Sequence, residues 1–353
     1  MLPTLKPLVQ SGFVGLLILL GPVTGCSSNP LASAPRTIEP ARAADSPPAS
    51  QSPAGAVRPL TGHPLAAVFD SGTRQLAVLR GPDNPADPAA PASLAVFADA
   101  QVPPRAIALP GPATALTGDD RGTAYLAARG GYLAVDLSAG RVAPVTVADA
   151  AHADFTAIAR RADGKLVLGS ADGAVYTLAS DAPSGTTTVG NRNKIFARVD
   201  ALVTQGNTTV VLDRGQTSVT TIGADGRVAQ ALRAGEGATT LAADPQGRVL
   251  VADTRGGQLL VYGVDPLILR QAYPVRQAPY GLAGSRDLAW ISQTAANVVI
   301  GYDLSTGIPV EKVRHSTVQQ PNTLAFDEAS DTLYVVSGSG AGVQVIEHAA
   351  GIP

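Results

Sequence analysis

Seven short apolar runs recur along the chain, at residues 76–79, 124–127, 166–169, 209–212, 249–252, 288–291 and 333–336, and their starts lie 39 to 48 residues apart. Each run sits in a similar unit. Another short apolar stretch and a turn precede it, as in 241–244 before Pro245-Gln246-Gly247 and 324–327 before Glu328-Ala329-Ser330. A third stretch follows a Gly, Asp or Asn loop, as at 258–262, 298–302 and 343–346. A tight turn, at 136–140 and again at 303–307, then leads to a more polar fourth stretch such as Val310-Glu311-Lys312-Val313-Arg314. The unbroken apolar runs fit strands covered on both faces, which need not alternate. Four short strands per unit, repeated with a period near 40 residues, predict an all-β seven-bladed β-propeller with four antiparallel strands per blade. Residues 57–353 supply 297 positions, which seven units of ~42 residues fill without room for a second domain. The seventh unit lacks a fourth strand, because only residues 347–353 follow its third. Residues 57–61 precede the first inner strand at 65–69 and have no partner in their own unit. We therefore expect the N-terminal strand to join the last blade, closing the ring and removing an edge, with Pro59 tolerated at the outside.

The chain before the repeats has a different pattern. Lys6 is the sole charge before Arg36, and an apolar run spans 13–20. That run is too short to cross a bilayer, which takes about 20 residues; it fits the core of a signal peptide over residues 1–25. Val23-Thr24-Gly25-Cys26-Ser27-Ser28 resembles the bacterial lipobox, in which the cysteine receives diacylglycerol and a further acyl chain such as palmitate and becomes the mature terminus. The resemblance implies lipidation at Cys26 and a lipoprotein held at the extracytoplasmic face of a cell membrane. Each buried acyl methylene contributes roughly 0.8 kcal/mol to such an anchor. Residues 26–56 then form the lipidated cysteine and a Ser/Ala/Pro tether. The tether shows no strand or helix period, so disorder is expected, because it buries too little apolar area to offset its ordering entropy.

Composition narrows the function. Of 353 residues, 45% are hydrophobic and 15% charged, which argues against long helices and coiled coils. The formal net charge of −2 gives no basic field for nucleic acid. The lone Cys rules out a disulfide framework and Cys-rich metal centres.

The later repeats carry a family resemblance. Pro279-Tyr280-Gly281-Leu282-Ala283, Leu288-Ala289-Trp290-Ile291, Asn297-Val298-Val299 and Tyr302-Asp303-Leu304-Ser305-Thr306-Gly307 resemble one YVTN-type repeat. Ala243-Asp244-Pro245-Gln246-Gly247-Arg248-Val249-Leu250-Val251-Ala252-Asp253 is similar to an NHL repeat. The likeness is sharp in units five to seven, and the first unit departs from it by a Pro-rich insertion over 81–92. With the lipobox and the Ala/Gly/Arg-rich composition, the chain resembles an actinobacterial, mycobacterial-like propeller lipoprotein. Such a resemblance implies a fold more firmly than an activity.

In propellers, the loops leading into each blade's first strand and those following its second strand share one face. Here the lead-in loops carry His63, Asp154, Asp200, Glu236, Tyr280 and Asn322. The loops after the second strands carry Arg80, Arg129, Asp172, Asp213, Arg214, Asp253, Arg255, Gln293 and Asn297. This mixed ring of donors and acceptors suits a polar ligand or a peptide, although polar residues populate loops in any case. The four histidines show no close ligand spacing. Metal ligation is not expected, and a Ca or Mg ion on Glu236, Asp253 and Asn322 belongs only to the alternative reading, implied by a likeness to lactonase-like propellers, which hold a cation near the axis. No cofactor is otherwise expected. Ser339 lacks the Gly-x-Ser-x-Gly pattern of a nucleophile elbow, since Ser337 and Ala341 stand at its two glycine positions. The expected role is a membrane-anchored binding or scaffold propeller facing a cell-envelope protein or cell-wall partner; the alternative is a lactonase-like or other hydrolase with a divalent cation in the channel.

Overall fold

The computed structural model describes residues 35–351 apart from 83, 85, 88 and 99–101. The signal peptide, the lipobox and Cys26 lie outside the described residues.

The described chain is all β, arranged as seven sheets. The inner strands of the blades are Pro64–Asp70, Ala115–Gly118, Phe155–Arg160, Ala201–Gln205, Ala238–Ala243, Pro279–Gly284 and Pro321–Asp327. Each inner strand pairs antiparallel with the next strand in sequence, and the sheet grows outward from there. The seven apolar runs fall on the second strands: Gln75–Arg80, Thr123–Ala128, Leu166–Ser170, Thr208–Asp213, Arg248–Asp253, Ala289–Gln293 and Thr332–Ser337. These strands are hydrogen-bonded on both edges and covered on both faces, so consecutive residues such as Val249, Leu250, Val251 and Ala252 are all buried. That is why their hydrophobicity does not alternate. Outer strands such as Val189–Lys194 and Val310–Ser316 are polar and largely open.

The core is a set of clusters between adjacent blades. Val210, Leu212 and Val219 of blade 4 pack against Val249, Leu260 and Tyr262 of blade 5. Trp290 of blade 6 packs among Leu324, Leu333 and Val335 of blade 7 and stacks on Phe326 at 5.8 Å. Its indole N–H donates to Ser285 Oγ at 3.2 Å, which removes the penalty of an unmet buried donor. Blade 2 carries one strand more than expected. Gly185–Thr187, from the loop between the third and fourth strands of blade 3, lies parallel to Val142–Val147.

The ring closes as expected, with one shift in register. Ala56–Arg58 pairs antiparallel with Val343–Ile346, and Val57 stands opposite Gln344. The expected closing strand was 57–61. It ends sooner because Pro59 has no N–H to continue the ladder, and Leu60 then turns inward against Leu76, Phe97 and Val343.

A second difference concerns the tether. Residues 35–55, read from composition as part of a disordered spacer, instead lie against the loops of blades 4 to 7 before entering the closing strand. They form no strand or helix. The composition argument holds for apolar burial, since Arg36, Thr37, Ile38, Glu39 and Pro40 are exposed. What orders the segment is capture of its backbone by side chains far away in sequence.

Candidate functional site

The seven inner strands enclose a central channel of about 390 Å³. Small and apolar residues such as Ala66, Ala115, Ala157, Ala201 and Leu241 make up most of its lining, while the surface left open to the channel is more polar than apolar. Thr156, Thr239, Thr240, Tyr280 and Asn322 add polar groups, and Asp200 and Arg214 add charge on blade 4. Burial raises the Asp200 carboxyl above the ordinary carboxylate range. It accepts the Arg214 backbone N–H at 2.8 Å and pairs with Arg198 Nε at 3.2 Å.

The residues expected on the loop face separate into three groups. The first group holds loops together. The last residue of the second strand reaches across to the lead-in loop in blades 1, 4, 5, 6 and 7. Arg80 donates to Thr61 O and Gln293 to Arg276 O. Ser337 Oγ donates to Gln319 O. Asp213 accepts the N–H groups of Ala197, Arg198 and Gln216. Asp253 accepts those of Glu236, Gly237 and Gly256 at 3.0, 2.8 and 3.0 Å. Both carboxylates are fully buried. Loop N–H groups otherwise left without partners explain why an acid stands at this place in two successive blades. Asp253 is thus engaged at both oxygens before any cation is considered. Asp172 pairs locally instead. Lys194 Nζ lies 2.7 Å away, and this bond, with a second from Ser170, holds its carboxyl below the usual range.

The second group grips residues 38–54. Arg255 Nη2 donates to Glu39 O at 2.7 Å, and Arg214 Nη2 donates to Ala41 O. Asn297 Nδ2 donates to Pro47 O at 2.8 Å. Gln319 and Gln320, which the sequence did not single out, are part of the same apparatus. Gln319 Nε2 donates to Pro47 O at 2.9 Å and Gln320 Nε2 to Ala44 O at 2.9 Å. The signal that could have found them is position, because both precede the inner strand of blade 7 on the mapped face. Tyr280 and Asn322 sit beneath, in the channel wall, and Asn322 Oδ1 accepts from Gln320 Nε2 at 3.1 Å.

The third group is open. His63, Arg129, Asp154 and Glu236 are exposed, and their side chains make no hydrogen bond or ion pair among the described residues. His63, Arg129 and Asp154 belong to the loops of blades 1 to 3, away from the segment that lies over blades 4 to 7.

No protein-family profile matches the chain, and no curated protein sequence does. Solved structures do resemble it. A chain of the mitotic checkpoint complex aligns at 11% identity over 97% of this chain and 99% of its own, with a TM-score of 0.65. Virginiamycin B lyase from Staphylococcus aureus aligns at 12% identity over 82% and 97%, with a TM-score of 0.64. U3-55K aligns at 12% identity over 84% and 100%, with a TM-score of 0.66. At such identities the likeness shows architecture alone, and together with the seven sheets in a ring it identifies the chain as a seven-bladed β-propeller.

Proposed function

We propose that the chain is a binding or scaffold propeller, anchored by lipid on Cys26 at the extracytoplasmic face of a cell membrane, whose loop face takes up a cell-envelope partner. One observation carries this reading. The carboxylates best placed for chemistry on the face, Asp213 and Asp253, are buried and committed to backbone N–H groups. The mapped charged and ionisable groups left over, His63, Arg129, Asp154 and Glu236, are exposed without side-chain partners among the described residues, on loops of blades 1, 2, 3 and 5. Dispersed, solvated groups suit steering and docking of a partner; they do not suit proton transfer, which needs groups within hydrogen-bond reach of one atom.

The test is photo-cross-linking of the full-length protein in its native membrane, with Arg129→Glu and Asp154→Lys combined. Adducts formed by the unaltered protein should fall by about tenfold or more, as expected for reversal of two docking charges, while membrane association stays unchanged. Undiminished adducts would remove this face from the reading.

A second reading, catalysis at the channel, is favoured by Asp200. Its raised carboxyl beside Arg214 is the kind of perturbed group found at active sites, and the solved virginiamycin B lyase shares the fold. A panel of lactones and esters, assayed with and without Ca or Mg, decides it: turnover abolished by Asp200→Asn supports catalysis, and the absence of any turnover rejects it.

A further inference from the structure

The segment over blades 4 to 7 is held in an unusual way. Its contacts read backbone more than side chain. Side chains from four blades donate to the carbonyls of Glu39, Ala41, Ala44 and Pro47. Within this stretch the backbone N–H groups in use are those of Ile38, which donates to Gly215 O at 2.8 Å, and Ser46, which donates to Gln320 Oε1 at 3.1 Å. Proline therefore loses nothing at positions 40 and 47, and its fixed φ lowers the entropy lost on docking. Two side chains are read as well. Ala41 is buried over Gly237, where an added Cβ would stand 3.0 Å from that of Ala41, so the groove takes a small residue there. Ser46 Oγ donates to Thr294 O at 2.6 Å and accepts from Gln320 N–H at 2.8 Å.

The fit is incomplete. Arg214 Nε and Asn297 Oδ1 belong to residues that grip the segment, yet both atoms are buried with no partner among the described residues. Buried unmet groups favour any occupant able to satisfy them. Four non-glycine residues in the left-handed backbone region, Gln277, Ala278, Asn297 and Gln320, lie on this face in blades 6 and 7; such strain persists where surrounding structure imposes it.

We propose that the loop face across blades 4 to 7 is a groove for an extended, proline-containing peptide segment of a partner protein, and that residues 38–47 fill it here as an internal stand-in. This rests on the binding role above and gives the partner its chemistry: a main chain presenting carbonyls at four spaced positions, a small residue over Gly237, and a hydroxyl at the place of Ser46. The internal segment competes with the partner at the millimolar effective concentration that a short tether provides. A peptide in solution therefore binds the unaltered chain weakly until the segment is displaced.

The experiment uses the full chain and a fluorescein-labelled synthetic peptide copying residues 35–50, followed by fluorescence anisotropy. Ala41→Trp with Ser46→Pro removes the small residue, the N–H and the hydroxyl from the internal segment without touching the blades. This variant should bind the peptide about tenfold or more tightly than the unaltered chain, by relief of the tethered competitor. Adding Arg214→Ala and Arg255→Ala to it should abolish that gain. Hydrogen exchange should show residues 38–47 released in the variant while the blade strands stay protected. Peptide affinity equal in both proteins, no binding by the variant, binding that survives loss of the two arginines, or a segment still protected in the variant would each overturn the proposal. Should the peptide fail while the cross-links lost with Arg129→Glu and Asp154→Lys remain, the groove falls and the binding role stands.

Discussion

Single residues on the loop face look alike in sequence and differ in task. Asp253 and Glu236 are both acids in neighbouring loops, but one is buried beneath three N–H donors and the other is exposed. Asp253→Ala should lower stability by about 2–4 kcal/mol in urea unfolding, because buried N–H groups lose their acceptor. Glu236→Ala should change it by less than about 0.5 kcal/mol, as for an unpaired surface side chain. The tyrosines give a pH signature. Burial pushes the Tyr262 and Tyr302 hydroxyls up to about 12 and the Tyr132 hydroxyl higher still. Tyr262 and Tyr132 also donate, to Arg233 O at 2.7 Å and Ala182 O at 2.6 Å. In the unfolded chain these groups ionise near pH 10. Their contribution is therefore complete below pH 10 and is lost as the pH rises from about 10 to about 12. Absorbance at 295 nm should show part of the tyrosine titrating only together with loss of the fold. Full tyrosine ionisation with the fold intact at pH 10.5, about half a unit above the unfolded value, would contradict it.

At the scale of elements, the closing blade depends on one buried amide. Gln344 lies within Val343–Ile346 and is fully buried. Its Oε1 accepts the Val318 N–H at 3.0 Å, and its Nε2 donates to Ala54 O and Ser316 O at 2.7 and 2.9 Å. It thereby fastens the chain entering the closing strand to the link between blades 6 and 7. Gln344→Leu keeps the volume but leaves three backbone groups without this partner, and should cost about 2–3 kcal/mol in thermal or urea unfolding. Leu60→Ala, just past the closing strand, should cost about 2–4 kcal/mol through the cavity it leaves among Leu76, Phe97 and Val343. If the N-terminal strand were a passive tail, neither change would move the transition of the whole ring.

For the whole molecule, the proposed membrane anchor is tested at Cys26. Cys26→Ser should abolish incorporation of a labelled palmitate analogue and shift the protein from the membrane fraction to the soluble one. Retained label would assign the anchor elsewhere. The ring was legible in the chain because its signal is local and repeated. Seven second strands covered on both faces each carry an unbroken apolar run, exemplified by Val249 to Ala252, and the spacing between the runs counts the blades. The missing strand of the last blade was legible for the same reason, as a deficit at one end and a surplus at the other. The division of the loop face was not legible, because side-chain direction decides it. Asp213 and Arg214 are adjacent, yet one turns down to three loop N–H groups and the other turns up to Ala41 O. The ordering of residues 38–47 was hidden further still. Composition reports how much apolar surface a segment can bury, and this segment buries little. It is held by hydrogen bonds whose donors, Arg214, Arg255, Asn297 and Gln320, become neighbours only when the blades close into a ring. The repeating element and its count can be read along the chain, since burial imprints a period on it; what lies across the face emerges with the closed ring, since polar capture over 173 to 276 residues leaves no period to read.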